Sequence, residues 1–144
     1  MIYCGYQGCG KSTYCRTHNN TVDLDSSLFK KTNKWEEAYI NIAQSFSDEN
    51  KKVFISAHKN VIDYLINNKI EFELIVPDMD KLAWRSRLEF RYFKNQTQGN
   101  LNAILDFDKN FDIDMEYYKT VENKGIKVHR VSATIITDIG EVIE

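Results

Sequence analysis

Gly5-Tyr6-Gln7-Gly8-Cys9-Gly10-Lys11-Ser12 is the stretch that decides how this chain folds. These eight residues fit the phosphate-binding loop pattern G-x-x-x-x-G-K-[ST] without a mismatch. Residues 1–4 before the loop are apolar, as in a short buried strand, and residues 13–18 after it contain no Gly or Pro. The pattern has its meaning only between a strand and a helix, and both flanks predict that arrangement.

The spacing of this loop follows from the chemistry of phosphate binding. Glycines let the backbone curl until successive N–H groups point at one anion, and the following helix adds its positive N-terminal end. Lys11 would reach the β- and γ-phosphates, and the Ser12 hydroxyl would ligate Mg²⁺. We therefore predict that the loop binds ATP with Mg²⁺. The residues expected to contact the nucleotide here are Gly5, Gly8, Cys9, Gly10, Lys11, Ser12 and Thr13.

Length and composition predict one compact domain over residues 1–144. Of the 144 residues, 42% are hydrophobic and only Pro77 is a proline, which favours a sizeable core over disorder. The net charge of −2 gives no electrostatic basis for general nucleic-acid binding. No apolar run reaches membrane-spanning length, and the first strand begins at once. We expect neither a membrane partner nor a signal peptide, and a cytoplasmic location.

Three cysteines lie in the first strand, loop and helix: Cys4, Cys9 and Cys15. An odd number in such a chain predicts free thiols in a reducing compartment. Cys9 lies close to a helix N-terminus, where a thiol pKa can fall and its reactivity rise. The alternative, which we favour, is that Cys9 is a small residue that fits the loop.

Strand and helix patterns alternate along the rest of the chain. Strands are predicted at 21–24, 52–56, 71–76 and 126–131. Helices are predicted from a cap at Asn33, after His58, at about 79–95, as two shorter segments up to Gly125, and at 134–143. This alternation indicates a parallel sheet with helices on both faces. The loops after the strands then meet along one edge of the sheet.

Asp23 and Asp25 end the second strand and form the next candidate pair. Alternation along an extended segment points both carboxylates the same way. Two acids beside a triphosphate suit an Mg²⁺ ligand, Asp23, and a base for an acceptor hydroxyl, Asp25. The alternative is that Asp25 only caps the following helical turn with Ser26 and Ser27.

Three arginines lie on the long helix after the fourth strand. Arg87 and Arg91 are four residues apart and share a face, while Arg85 falls on the other side. Arginines that close over a transferring phosphoryl group neutralise the charge that builds up on it. The alternative is a solvated helix face with Glu89 and Lys94 as neighbours.

The third strand ends in Ser56 without an acidic residue, where many proteins with such a loop carry one. The absence of an acid here argues against a motor protein or an ordinary ATPase. Asp23 or Asp25 is then the expected metal ligand. His58 follows two residues later, with a phosphate contact and a structural role both open.

Taken together, the loop, the Asp23-Leu24-Asp25 pair and the arginine helix resemble the nucleoside monophosphate kinase group. More narrowly, the chain is similar to small adenylate-kinase-like proteins of bacteriophages, in segments 53–59 and 72–77 as well. The resemblance implies a P-loop NTPase fold with a five-stranded parallel sheet in the order 2-3-1-4-5. It further implies a short helical lid at about 79–100 whose arginines are Arg85, Arg87 and Arg91, and a location in the host cytoplasm.

The function implied is ATP-dependent transfer of a phosphoryl group to a small acceptor, with a nucleoside monophosphate as the expected class. The acceptor-binding region departs from the family, because between Asp25 and Lys52 it has no arginine. Its local cations are Lys30, Lys31 and Lys34. The acid pair is also similar to that of shikimate- and gluconate-type kinases. A polynucleotide 5′-kinase, and an ATP-binding protein that acts through a protein partner without transfer, stay open.

Overall fold

The computed structural model describes residues 1–78, 80–132 and 139–143. The strands are β1 (Ile2–Gly5), β2 (Thr21–Asp23), β3 (Lys52–Ser56), β4 (Phe72–Pro77) and β5 (Val128–Val131). The helices are α1 (Lys11–Thr17), α2 (Trp35–Asp48), α3 (Lys59–Asn67), α4 (Lys81–Lys94), α5 (Gln98–Asn123) and α6 (Ile139–Ile143), with a 3-10 turn over Ser26–Leu28.

The five strands form one parallel sheet in the order β2-β3-β1-β4-β5. The predicted α/β class, the parallel pairing and the strand order are therefore confirmed. Gly5, the last residue of β1, lies opposite Ser56 of β3 and Ile75 of β4. The carboxyl ends of the central strands thus meet at one edge, as expected for a sheet built from right-handed crossovers.

The central strands form because they are apolar on both faces, which suits a sheet covered by helices on each side. The side chains of β3 and β4 supply the middle of the core, α2 packs against β3 and β1, and α3 packs against α2. The fully buried strand residues there are Val53, Phe54, Ile55, Leu74, Ile75 and Val76. β2 lies at the edge of the sheet and has no buried residue.

One predicted boundary is wrong: a single 26-residue helix, α5, stands where two shorter helices were expected. Gly99 lies in its first turn, and no Gly or Pro follows until Gly125, so nothing breaks it. Thr97 caps it, because the Thr97 hydroxyl accepts from the Asn100 N–H at 3.1 Å. Its buried stripe is continuous and comprises Ala103, Ile104, Phe107, Phe111, Met115, Tyr118 and Val121.

The predicted cap of α2 is also wrong. The residue before Trp35 is Lys34, which has a φ of 56° and makes no side-chain cap. Asn33 therefore lies one residue too early to cap the helix. Glu36, in the first turn of α2, accepts from the Asn60 side chain at 2.6 Å, which ties α2 to α3. Of the predicted closing helix, residues 139–143 are helical and residues 134–138 lie outside the described residues.

Among the helices that the structure describes, none is long and apolar enough to cross a membrane.

Tyr39 of α2 is fully buried, and its hydroxyl joins two strand ends. It donates to the Leu24 carbonyl at 2.6 Å and accepts from the Ser56 N–H at 3.0 Å. We expect Tyr39→Phe to lower the free energy of unfolding by about 1–3 kcal/mol, because two buried backbone groups lose their partner. Urea unfolding measures this.

The matched control is Tyr64→Phe, since the Tyr64 hydroxyl has no hydrogen bond among the described residues. We expect it to change stability by less than about 0.5 kcal/mol. Equal effects of the two substitutions would contradict the role given to Tyr39.

Candidate functional site

The loop over residues 5–12 connects β1 to α1, as its pattern predicts. Gly8 has a φ of 82° and Gly10 a φ of 103°, a left-handed conformation that favours glycine. Gly8 also lies under the arginine helix, because a Cβ there would lie 2.8 Å from the Leu88 side chain. Both positions therefore require glycine. Gly10 requires it for its φ, and Gly8 for its φ and for the close approach of Leu88.

Lys11 folds back across this loop. Its Nζ donates to the Gly5 carbonyl at 2.9 Å. Its aliphatic stem covers Gly5 so closely that a Cβ on Gly5 would lie 2.8 Å from Lys11 Cδ. The ammonium group therefore lies over the loop. The backbone N–H groups of this loop are the donors that a bound phosphate would contact.

Ser12 and Asp23 meet at the start of α1. The Ser12 hydroxyl donates to Asp23 Oδ2 at 2.5 Å. Hydroxyl and carboxylate oxygens are the donors that Mg²⁺ prefers, so the pair fits the predicted metal role. Within the described residues no group of three or more His, Cys, Asp or Glu side chains could hold a metal alone. A cation at Ser12 and Asp23 would need further oxygens, such as those of phosphates and water.

Asp25 lies beyond the end of β2 and caps the 3-10 turn, as the alternative interpretation holds. Its Oδ1 accepts from the Ser27 N–H at 2.9 Å. Its second oxygen makes no hydrogen bond among the described residues, and the side chain is exposed. Capping therefore occupies one oxygen of Asp25 and leaves the other exposed. Thr13, in the first turn of α1, accepts from Arg16 at 3.4 Å.

Two of the three arginines lie over the loop. Arg87 Nε donates to the Gly8 carbonyl at 2.7 Å, and its Nη2 lies 3.8 Å from where a Cβ on Gly10 would stand. Its guanidinium also lies over the Trp84 ring, 5.0 Å from the centroid. Arg91 Nη1 lies 3.3 Å from the corresponding Cβ position on Gly8. The free donors of both side chains therefore flank the glycines of the loop.

Arg85 lies on the opposite side of α4, as the helical spacing predicts. Its Nε and Nη2 donate to the two carboxylate oxygens of Asp108, at 2.7 and 2.9 Å, and it also pairs with Glu89. The structure thus brings Arg87 and Arg91 to the loop and engages Arg85 with α5. The bidentate pair fixes α4 against α5.

His58, which follows β3, and Lys30, which follows the 3-10 turn after β2, contact each other. Lys30 Nζ lies 3.0 Å from His58 Nε2 and 5.6 Å from the centroid of the Trp35 ring. The surrounding protein, then the positive charges of Lys30 and Lys11, lower the pKa of His58 to about 4, while Asp106 opposes the shift. The side chain of His58 is exposed, and contact with water weakens the effect of burial on its pKa. We therefore expect the charge of Lys30 to be the main cause of the lowered pKa. The neutral imidazole accepts from the ammonium group.

Sequence reasoning missed several residues at this edge, because their contacts join distant parts of the chain. Gln7 Nε2 donates to the Ala103 carbonyl at 3.1 Å and to Asp106 Oδ2 at 3.0 Å. Trp84 Nε1 donates to the Gln7 carbonyl at 3.2 Å. No motif marks Gln7, since the loop pattern leaves its position free.

Cys9 is buried within the loop, with 1% of its surface exposed. Burial raises the pKa of its thiol, and Lys11 lowers it less. A buried, protonated thiol is inert, which favours the interpretation of Cys9 as a small residue that fits the loop. The three cysteines are free, as predicted.

No family model matches this chain, and comparison with curated proteins finds no match. A function is therefore assigned from the chemistry of the loop and its neighbours.

Replacing Lys30 with Met should raise the pKa of His58, because the substitution removes the nearest positive charge. An NMR titration of the imidazole signals measures the shift. The matched control is Lys31→Met, which we expect to leave the pKa unchanged. An unshifted pKa in the Lys30 variant would contradict the contact.

The same shift has a consequence for stability. The pKa of His58 is about 4 in the folded chain and about 6.5 in an unfolded one. The neutral imidazole then contributes stability above about pH 6.5, which is lost as the pH falls towards 4. Lys30→Met should make that loss smaller, as urea unfolding at pH 7 and pH 4.5 would measure.

Proposed function

We propose that this protein is an ATP-dependent phosphotransferase that moves the γ-phosphoryl group to a small acceptor. The observation that carries the proposal is that Arg87 and Arg91 flank a glycine loop that also presents Lys11 and Ser12. Such a convergence of cationic donors with backbone N–H groups suits a polyphosphate better than any other common ligand.

Three groups in and beside the loop would hold ATP, the phosphoryl donor. The N–H groups around Gly8 and Gly10 and the N-terminus of α1 surround the phosphates. Lys11 exchanges the Gly5 carbonyl for the β- and γ-phosphate oxygens, which is a short movement of a flexible side chain. Ser12 and Asp23 would hold Mg²⁺, which when bound neutralises charge on the β- and γ-phosphates.

Arg87 and Arg91 act on the group in transfer. Charge builds up on the equatorial oxygens of the phosphoryl group, and fixed guanidinium donors stabilise it without rearrangement. The Arg87 anchor on Gly8 uses Nε and leaves the two Nη groups for phosphate. We assign Arg85 to holding α4 on α5, since Asp108 and Glu89 occupy its donors.

The acceptor lies on the side of Asp25, Lys30 and Trp35. The free oxygen of Asp25 can accept the proton of an acceptor hydroxyl, or orient a phosphate through water. Lys30 supplies the positive charge and Trp35 an aromatic surface beside it, 5.6 Å apart. A charge next to a flat ring suits a nucleotide, so a nucleoside monophosphate is the acceptor class that we favour.

A second candidate function is ATP binding without transfer. The observation that favours it is the end of β3, where Ser56 stands and an acid would be expected to orient water or metal. Such a protein would act through a partner.

The direct test is transfer of labelled γ-phosphate from ATP to a panel of nucleoside monophosphates, nucleosides, small polyols and 5′-hydroxyl oligonucleotides. We expect label on a monophosphate, and a fall of about 10²–10³-fold in rate for Lys11→Ala and for Arg87→Ala. The control is Arg130→Ala, because Arg130 is exposed on β5 and pairs with Glu122. If no acceptor of the panel is labelled, the proposal is contradicted. Stable ATP binding without any transfer would favour the second candidate function.

Asp25→Asn separates the catalytic role of Asp25 from its capping role. An amide oxygen still accepts from the Ser27 N–H, so the cap and the stability are kept, while a proton acceptor is lost. We expect the rate of transfer to a hydroxyl acceptor to fall by about 10²-fold or more with unchanged urea unfolding, and transfer to an ionised phosphate, which needs no base, to fall less. A rate equal to that of the unsubstituted protein would leave Asp25 a cap only.

A further inference from the structure

The helices α4 and α5 pack antiparallel as a hairpin beside the loop. Three pairs mark the antiparallel register: Lys81 with Asp112 at 2.9 Å, Arg85 with Asp108, and Arg91 with Asn100 at 3.1 Å. Trp84 and Phe107 are fully buried between the hairpin and the sheet. These contacts hold α4 and α5 together, but they do not fix the position of the hairpin relative to the loop.

Gln7 makes that connection from within the loop. Its single side-chain nitrogen donates both to the Ala103 carbonyl and to the Asp106 carboxylate on α5. The backbone carbonyl of Gln7, which any residue at this position would supply, accepts from the indole of Trp84 on α4. The Gln7 side chain therefore holds α5, whereas the backbone carbonyls of Gln7 and Gly8 hold α4 through Trp84 and Arg87.

We propose that Gln7 is the positioning residue that docks the arginine hairpin onto the phosphate-binding loop. Its effect on catalysis rests on the proposed function, whereas the docking itself does not. Arg87 and Arg91 belong to the hairpin that this contact docks, so the contact helps to place them over the loop glycines, together with the bond between Arg87 and Gly8. A displacement of about 1 Å at such groups costs about 10²-fold in rate.

The chemistry of the contact requires a side chain with at least two N–H donors. The two acceptors on α5 are a carbonyl and a carboxylate, and the amide nitrogen of Gln7, with its two N–H groups, serves both. Asn110 also donates to Asp106, at 2.8 Å, and fixes the carboxylate towards the loop. Glutamate at position 7 would set two carboxylates against each other, and an apolar residue would leave Asp106 without its partner from the loop.

The test is an exchange of hydrogen-bonding roles. Gln7→Glu should undock the hairpin, and Asp106→Asn in the same chain should restore docking through the bond between these two side chains, without the bond to the Ala103 carbonyl. In that double variant the amide introduced on α5 donates to the carboxylate introduced in the loop, and the net charge is unchanged. Gln7→Met removes the donor without adding charge. The matched control is Gln98→Glu, since Gln98 lies on the same hairpin and contacts only Asn102 in the described structure.

Two readouts separate docking from catalysis. Amide hydrogen exchange without nucleotide should speed up in α4 and at the start of α5 for Gln7→Glu and Gln7→Met, and return for the double variant. With ATP and acceptor, the two single variants should lower kcat by about tenfold or more. The KM for ATP of the neutral Met variant should stay within about threefold.

Unchanged exchange in both Gln7 variants would overturn the proposal, and so would faster exchange that Asp106→Asn fails to correct. A protein that transfers no phosphate still gives the exchange result, so the failure of the proposed function is distinguishable from the failure of this one.

Discussion

The central position of β1 is the constraint on which the rest of the structure depends. β1 pairs with β3 on one side and β4 on the other, and all three run parallel. The loop that leaves β1 must therefore emerge between the ends of its two neighbours. The residues after β2 and β3 lie to one side of it, and the hairpin of α4 and α5 after β4 lies to the other. A glycine loop at an edge strand would have neighbours on one side only.

The electrostatic balance of the site follows from that division. The hairpin brings cationic donors, Arg87 and Arg91, to the loop. The side of β2 brings two carboxylates, Asp23 and Asp25, with Lys30 as a cation beyond them. A polyphosphate on the loop would meet positive charge from the hairpin and oxygen ligands from β2. This arrangement supports the proposed transfer of a phosphoryl group from a bound triphosphate towards the side of β2.

Much of this could be predicted from the sequence, because short-range patterns carry it. The loop, the alternation of strands and helices and the placement of Arg85 opposite Arg87 depend on spacing along the chain. The rest depends on contacts between distant residues. Lys30 meets His58 across 28 positions and Gln7 meets Asp106 across 99, and no local pattern encodes either contact. The two shorter helices expected over α5 are one helix, because its apolar stripe is continuous and nothing in that stretch breaks a helix.

The loop over residues 5–12 must bind a nucleoside triphosphate if the proposed function is right. Titration calorimetry of the whole chain with ATP and Mg²⁺ tests this without any assumption about the acceptor. We predict one ATP bound per chain, with much weaker binding by the Lys11→Ala variant, which removes the ammonium group from the loop. No binding of ATP, or equal binding by the variant and the unsubstituted protein, would contradict this prediction.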